Sequence, residues 1–133
     1  MKKIVLLLGI ILLITVCGCG QNPAAPEIYH DPVITSLSIS PASANLNDGG
    51  GKIVATIAIG FSDADGDLDT IIFKTSAGSK TTAITGLSGN TGGTFYAYVN
   101  IITSAKGSFA YDVCLTDKSG NTSNHYTGVY DVL

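Results

Sequence analysis

The segment KIVATIAIGF, residues 52–61, places Ile53, Ala55, Ile57, Ile59 and Phe61 at every second position. A period of two gathers these five on one face of a strand and turns Val54, Thr56 and Ala58 to the other. The same alternation recurs along the rest of the chain. VITSLSIS (33–40) aligns Val33, Thr35, Leu37 and Ile39, and Pro41 closes it. TIIFKT (70–75) reads as a short strand, and KTTAITGL (80–87) as a weak edge strand. TFYAYVNI (94–101) aligns Phe95, Ala97, Val99 and Ile101. SFAYDVCLT (108–116) aligns Phe109, Tyr111, Val113 and Leu115. HYTGVYDV (125–132) aligns Tyr126, Gly128, Tyr130 and Val132, with Val129 opposite. Gly, Asn, Asp and Ser clusters divide these runs, and no stretch after Val33 has helical periodicity. The pattern predicts an all-β domain over residues 33–133, a seven-stranded antiparallel sandwich of two sheets. A core of this size needs no disulfide.

The chain before Val33 has a different character. MKK is a basic start, and IVLLLGIILLITV (4–16) is 13 residues long. That is short of the roughly 18 to 20 that span a bilayer and fits the apolar core of a secretion signal. Val16-Cys17-Gly18-Cys19 resembles a bacterial lipobox, with Gly18 as the small residue before the modified cysteine. The resemblance implies a lipoprotein signal peptide over 1–18 and acylation of Cys19, as by palmitate. It also implies export to a membrane surface. Gly20 rather than Asp follows the cysteine, which by the rule for such proteins directs a Gram-negative lipoprotein to the outer membrane. Cys17 fits less well, because bulky Val16 precedes it. The alternative is an ordinary signal peptide and a soluble product. Residues 19–32 then form a lipidated cysteine and a tether, with three prolines in 20–32. Its reach is at most about 40 Å at roughly 3.3 Å per residue. The mature chain carries five lysines against ten acids, net −5. This excludes a nucleic-acid partner, which needs a basic surface. Cys114 is then the one thiol left besides Cys19, and no internal disulfide forms.

GSFAYDVCLTDKSGNTSN (107–124) resembles the last two strands of bacterial Ig-like domains, related in form to fibronectin type III and cadherin-like modules. The matching residues are Gly107, Phe109, Tyr111, Val113, Leu115, Asp117, Gly120 and Asn121. FSDADGDL resembles the loop after their second strand. The resemblance covers most of 33–133 and implies an Ig-like sandwich with a non-catalytic role in adhesion, scaffolding or envelope assembly. The antibody-type Cys pair and core Trp are missing.

Four aspartates occupy alternate positions in FSDADGDLDT (61–70): Asp63, Asp65, Asp67 and Asp69. In a sandwich of this connectivity, the loops holding 63–69, 88–93 and 117–121 share one end with the lead-in to the first strand and Asp31. Clustered carboxylates repel, and a hard cation relieves that. Ca²⁺ takes six to eight oxygens, which Asp63, Asp65, Asp67, Asp69, Asp117 and Asn121 are placed to supply in large part. Gly66 permits the tight turn. This is no EF-hand: the sixth position is Leu68 and the twelfth Lys74. The other reading is a solvated acidic turn whose side chains bond backbone groups.

Material for catalysis is poor. The two histidines, His30 and His125, fall in the tether and near a strand start. Cys114 reads as a small surface or edge residue rather than a nucleophile. For binding, Tyr96 and Tyr98 share the face opposite Phe95 and Val99, exposed together for an unknown glycan or protein partner. A second reading has them covering one face of a sheet.

Overall fold

The computed structural model describes residues 28–46 and 51–133. The expected signal peptide (1–18), Cys19 and the tether as far as residue 27 lie outside the described residues. Strands are β1 (Val33–Ser40), β2 (Ser43–Ala44), β3 (Gly51–Ser62), β4 (Leu68–Thr75), β5 (Gly78–Ala83), β6 (Gly92–Thr103), β7 (Gly107–Asp117) and β8 (Tyr126–Val132). They form two sheets, β1-β3-β6 and β2-β8-β7-β4-β5. Every pairing is antiparallel except that of β2 with β8. The seven expected strands are all present, and β2 is an added two-residue strand.

Alternation is what builds the core. On β3, Ala55, Ile57, Ile59 and Phe61 are buried. Ile57, Ile59 and Phe61 meet Leu68 and Ile71 of β4 and Val113 and Leu115 of β7 in one cluster that also takes in Ile34. Each such side chain contributes about 1.5–3 kcal/mol by leaving water. Phe61 and Phe95 meet edge to face at 5.8 Å, and Phe73 stacks on Tyr111 at 5.7 Å. Tyr111 lies across its register partner Gly128, where any Cβ would collide with the phenol.

The sheets are also joined by polar bonds. Asn124 Oδ1 accepts from the Ile34 amide at 2.7 Å, and its Nδ2 donates to the Ile34 carbonyl at 3.2 Å. Two expectations change. The strand expected over 80–87 stops at Ala83, and Ile84 and Leu87 instead pack on the core from a loop. Cys114 is buried, not a surface or edge residue. It sits on the central strand of the larger sheet, opposite Ile72, next to Leu115 whose amide donates to Ser123 Oγ. Burial pushes its thiol pKa up.

Candidate functional site

β3 delivers the chain to one end of the sandwich, where Asp63 is buried directly after Ser62. Its amide donates to Thr91 O at 2.9 Å, tying it to the segment before β6. Its carboxylate then organises the turn around itself: Oδ1 accepts from the Asp65 amide at 3.3 Å and Oδ2 from the Asp67 amide at 3.0 Å. Gly66 turns the chain at φ +66°, and a Cβ there would lie 2.9 Å from the Gly89 carbonyl carbon. Only glycine serves at that contact. The Gly66 carbonyl accepts from the Gly89 amide at 2.7 Å. The Asp67 carbonyl accepts from the Lys118 amide at 3.1 Å, and Ser119 Oγ donates to Asp67 Oδ2 at 3.4 Å.

Three loops therefore converge on the aspartates. The lead-in to β1 joins them through His30 rather than Asp31: its amide donates to Asp65 Oδ2 at 2.6 Å, and its Nδ1 lies 3.3 Å from Oδ1.

Of the six expected ligands, Asp63, Asp65 and Asp67 bring carboxylate oxygens within 4.8 Å of one another. Asp117 is buried and closed on Asn121, whose amide and Nδ2 donate to its two oxygens at 2.8 and 2.7 Å. Asp69 stands apart on β4, where its carbonyl accepts from the Ile84 amide at 2.7 Å.

The electrostatics of the loop are uneven. Desolvation, then the charges of Asp117 and Asp63, push the Asp67 pKa up. Among the described residues, Asp67 Oδ1 is shut off from solvent with no hydrogen-bond partner. The Asp65 pKa is lowered, chiefly by the His30 amide bond. The tyrosines lie elsewhere. Tyr96 and Tyr98 are 66% and 72% exposed on the outer face of the smaller sheet, beside Val54 and Ile102. The contacts of His30 and Asn124 escape sequence reading, because no local pattern marks a partner 35 or 90 residues away.

No family model and no curated protein matches the chain. Among solved structures it is similar to the PKD domain of an M14-like peptidase from a Thermoplasmatales archaeon. Identity is 15%, over 79% of this chain and 98% of that one, with a TM-score of 0.55. At that identity the likeness establishes the fold alone, a two-sheet Ig-like β-sandwich.

Proposed function

We propose that the chain is a non-catalytic Ig-like module, exported and held at a membrane surface by acylated Cys19, whose aspartate loop binds Ca²⁺. The observation that carries the calcium reading is the trio Asp63, Asp65 and Asp67, together with the orphaned Asp67 Oδ1. Buried carboxylate oxygens lacking a donor suit a hard divalent cation, which prefers oxygen ligands. The ion would stiffen the end of the domain where the chain enters, because Asp65 also holds His30.

The side chains favour a non-catalytic role. His30 and His125 each face a carboxylate, Asp65 and Asp112, and Cys114 is buried with a raised pKa. No nucleophile stands beside either imidazole in these contacts.

The test is thermal unfolding in EDTA and in millimolar Ca²⁺. Saturation at about a hundredfold over Kd adds roughly 2.7 kcal/mol and raises Tm by several degrees. That rise disappears in Asp65→Asn and Asp67→Asn. An unchanged Tm would reduce the loop to a solvated acidic turn. The anchor is tested separately: palmitate labelling is lost in Cys19→Ala, and persistence of the label overturns it.

A second reading rests on the exposure of Tyr96 and Tyr98. Paired aromatics on an open sheet face suit a glycan or protein partner. Glycan-array binding lost in the double Tyr96→Ala, Tyr98→Ala variant would favour it.

A further inference from the structure

A sandwich of two open sheets has four edges, and these differ in how they are protected. Native edges are blunted by short length, lysine, proline or a bulge. β2 has two residues. β1 lies between Pro32 and Pro41 and shifts register between Ile34 and Ser36. β5 has six residues and carries Lys80. β6 has none of these devices. Its sequence, GGTFYAYVNIIT, runs for twelve residues with no charge and no proline, in unbroken register with β3. Among the described residues no strand pairs with its outer edge.

Both faces of β6 are uncharged as well, and the inner one is apolar. Phe95, Ala97, Val99 and Ile101 point inward but are only half-buried, because the sandwich gapes on this side. A cleft of about 740 Å³ opens there, with Phe73 and Tyr111 on its far wall. Outward, Tyr96, Tyr98 and Ile102 are exposed. A small apolar ligand would fill the cleft and leave the backbone edge unpaired. An added strand satisfies both, hydrogen-bonding the edge while covering the inner row.

The strand that fits must be uncharged, extended and apolar at alternate positions, and β6 itself meets that description. We propose that β6 pairs antiparallel with β6 of a second copy about a two-fold axis, giving a continuous six-stranded sheet. The molecule is acidic overall, but none of its carboxylates lies on this strand, so two copies meet there without like charges opposed. A two-fold axis perpendicular to the sheet keeps same-face residues opposite one another. With Ala97 facing its own copy, Tyr96 opposes Tyr98 and Phe95 opposes Val99. The smallest side chain of the strand's centre sits at the axis, and aromatic and β-branched pairs flank it.

Sedimentation equilibrium of the full chain in density-matched detergent tests this. The variant Tyr98→Lys/Asn100→Lys puts lysines on the exposed face beside the axis. The control Thr127→Lys/Val129→Lys adds the same charge to exposed positions on the other sheet. Wild type and control dimerise, and the β6 variant dimerises about tenfold more weakly or worse, since the charges introduced at position 98 of the two copies become diagonal neighbours across the axis. Matching circular dichroism and Tm show that all three are folded. A wild-type monomer across the micromolar range overturns the proposal and leaves the edge to some other partner. Equal weakening in both variants, or in neither, overturns it too.

Discussion

The pKa values of Asp65 and Asp67, two residues apart, are shifted in opposite directions. Burial and neighbouring carboxylates raise the Asp67 pKa, so its charge works against folding. Its favourable contribution is present below the unfolded pKa and is lost as pH rises through the folded one. Asp67→Asn therefore raises Tm in EDTA at neutral pH, and the gain fades as the solution is acidified. In saturating Ca²⁺ the order reverses, with wild type the more stable. A thermal series over pH, with and without the ion, reads both effects. Asp65 behaves oppositely: the His30 amide lowers its pKa, so its contribution holds at neutral pH and is lost as pH falls through the folded value. Asn124 acts without charge. From the loop between β7 and β8 it accepts from the amide of buried Ile34. Asn124→Ala leaves that donor unpaired and costs about 1–3 kcal/mol. The urea midpoint should fall with no change in slope.

At the scale of elements, the aspartate turn depends on one glycine. Gly66 combines φ +66° with close backbone approach to Gly89, so Gly66→Ala meets both strain and collision. Urea unfolding should show a loss of about 1–3 kcal/mol, while β-sheet circular dichroism is retained. The long strands are legible in the sequence. β3, β6 and β7 carry uninterrupted period-two apolar runs, which no other element type tolerates. The convergence of three loops was also accessible, because it follows from alternating connectivity. The end of β5 was not. Ile84 and Leu87 extend the apolar count, but Gly86 and Gly89 adopt φ +80° and +83° and turn the chain into a loop. β2 exists through pairing with the far terminus, where Leu133 N donates to Ala44 O at 2.8 Å. Cys114 was misread because alternation separates two faces without telling which face neighbouring chain will close. Asp69 was drawn into the ligand set by spacing alone, although β4 has already begun at Leu68.

Across the whole molecule, the two ends of the sandwich differ in kind. At one end lie short local connections, the β4–β5 hairpin and the crossing from β6 to β7, in which Ala77 and Ala105 amides donate to Thr75 and Thr103 hydroxyls. At the other, loops distant in sequence hold one another through the aspartates: Gly89 to Gly66, Lys118 to Asp67, and His30 to Asp65. A cation among Asp63, Asp65 and Asp67 would act on this second end only. Amides there that exchange through local opening should slow, whereas a general gain in stability leaves locally exchanging amides unchanged. Native-state hydrogen exchange with Ca²⁺ should thus protect Asp65, Asp67, Gly89 and Lys118 but not Ala77 or Ala105. Equal slowing at both ends would mean that the ion binds elsewhere or stabilises without ordering the loops. Slowing that includes His30 would extend the effect to the point where the chain enters the domain. In that outcome the aspartate loop fixes how the chain enters the sandwich at His30, a mechanical role for the bound ion.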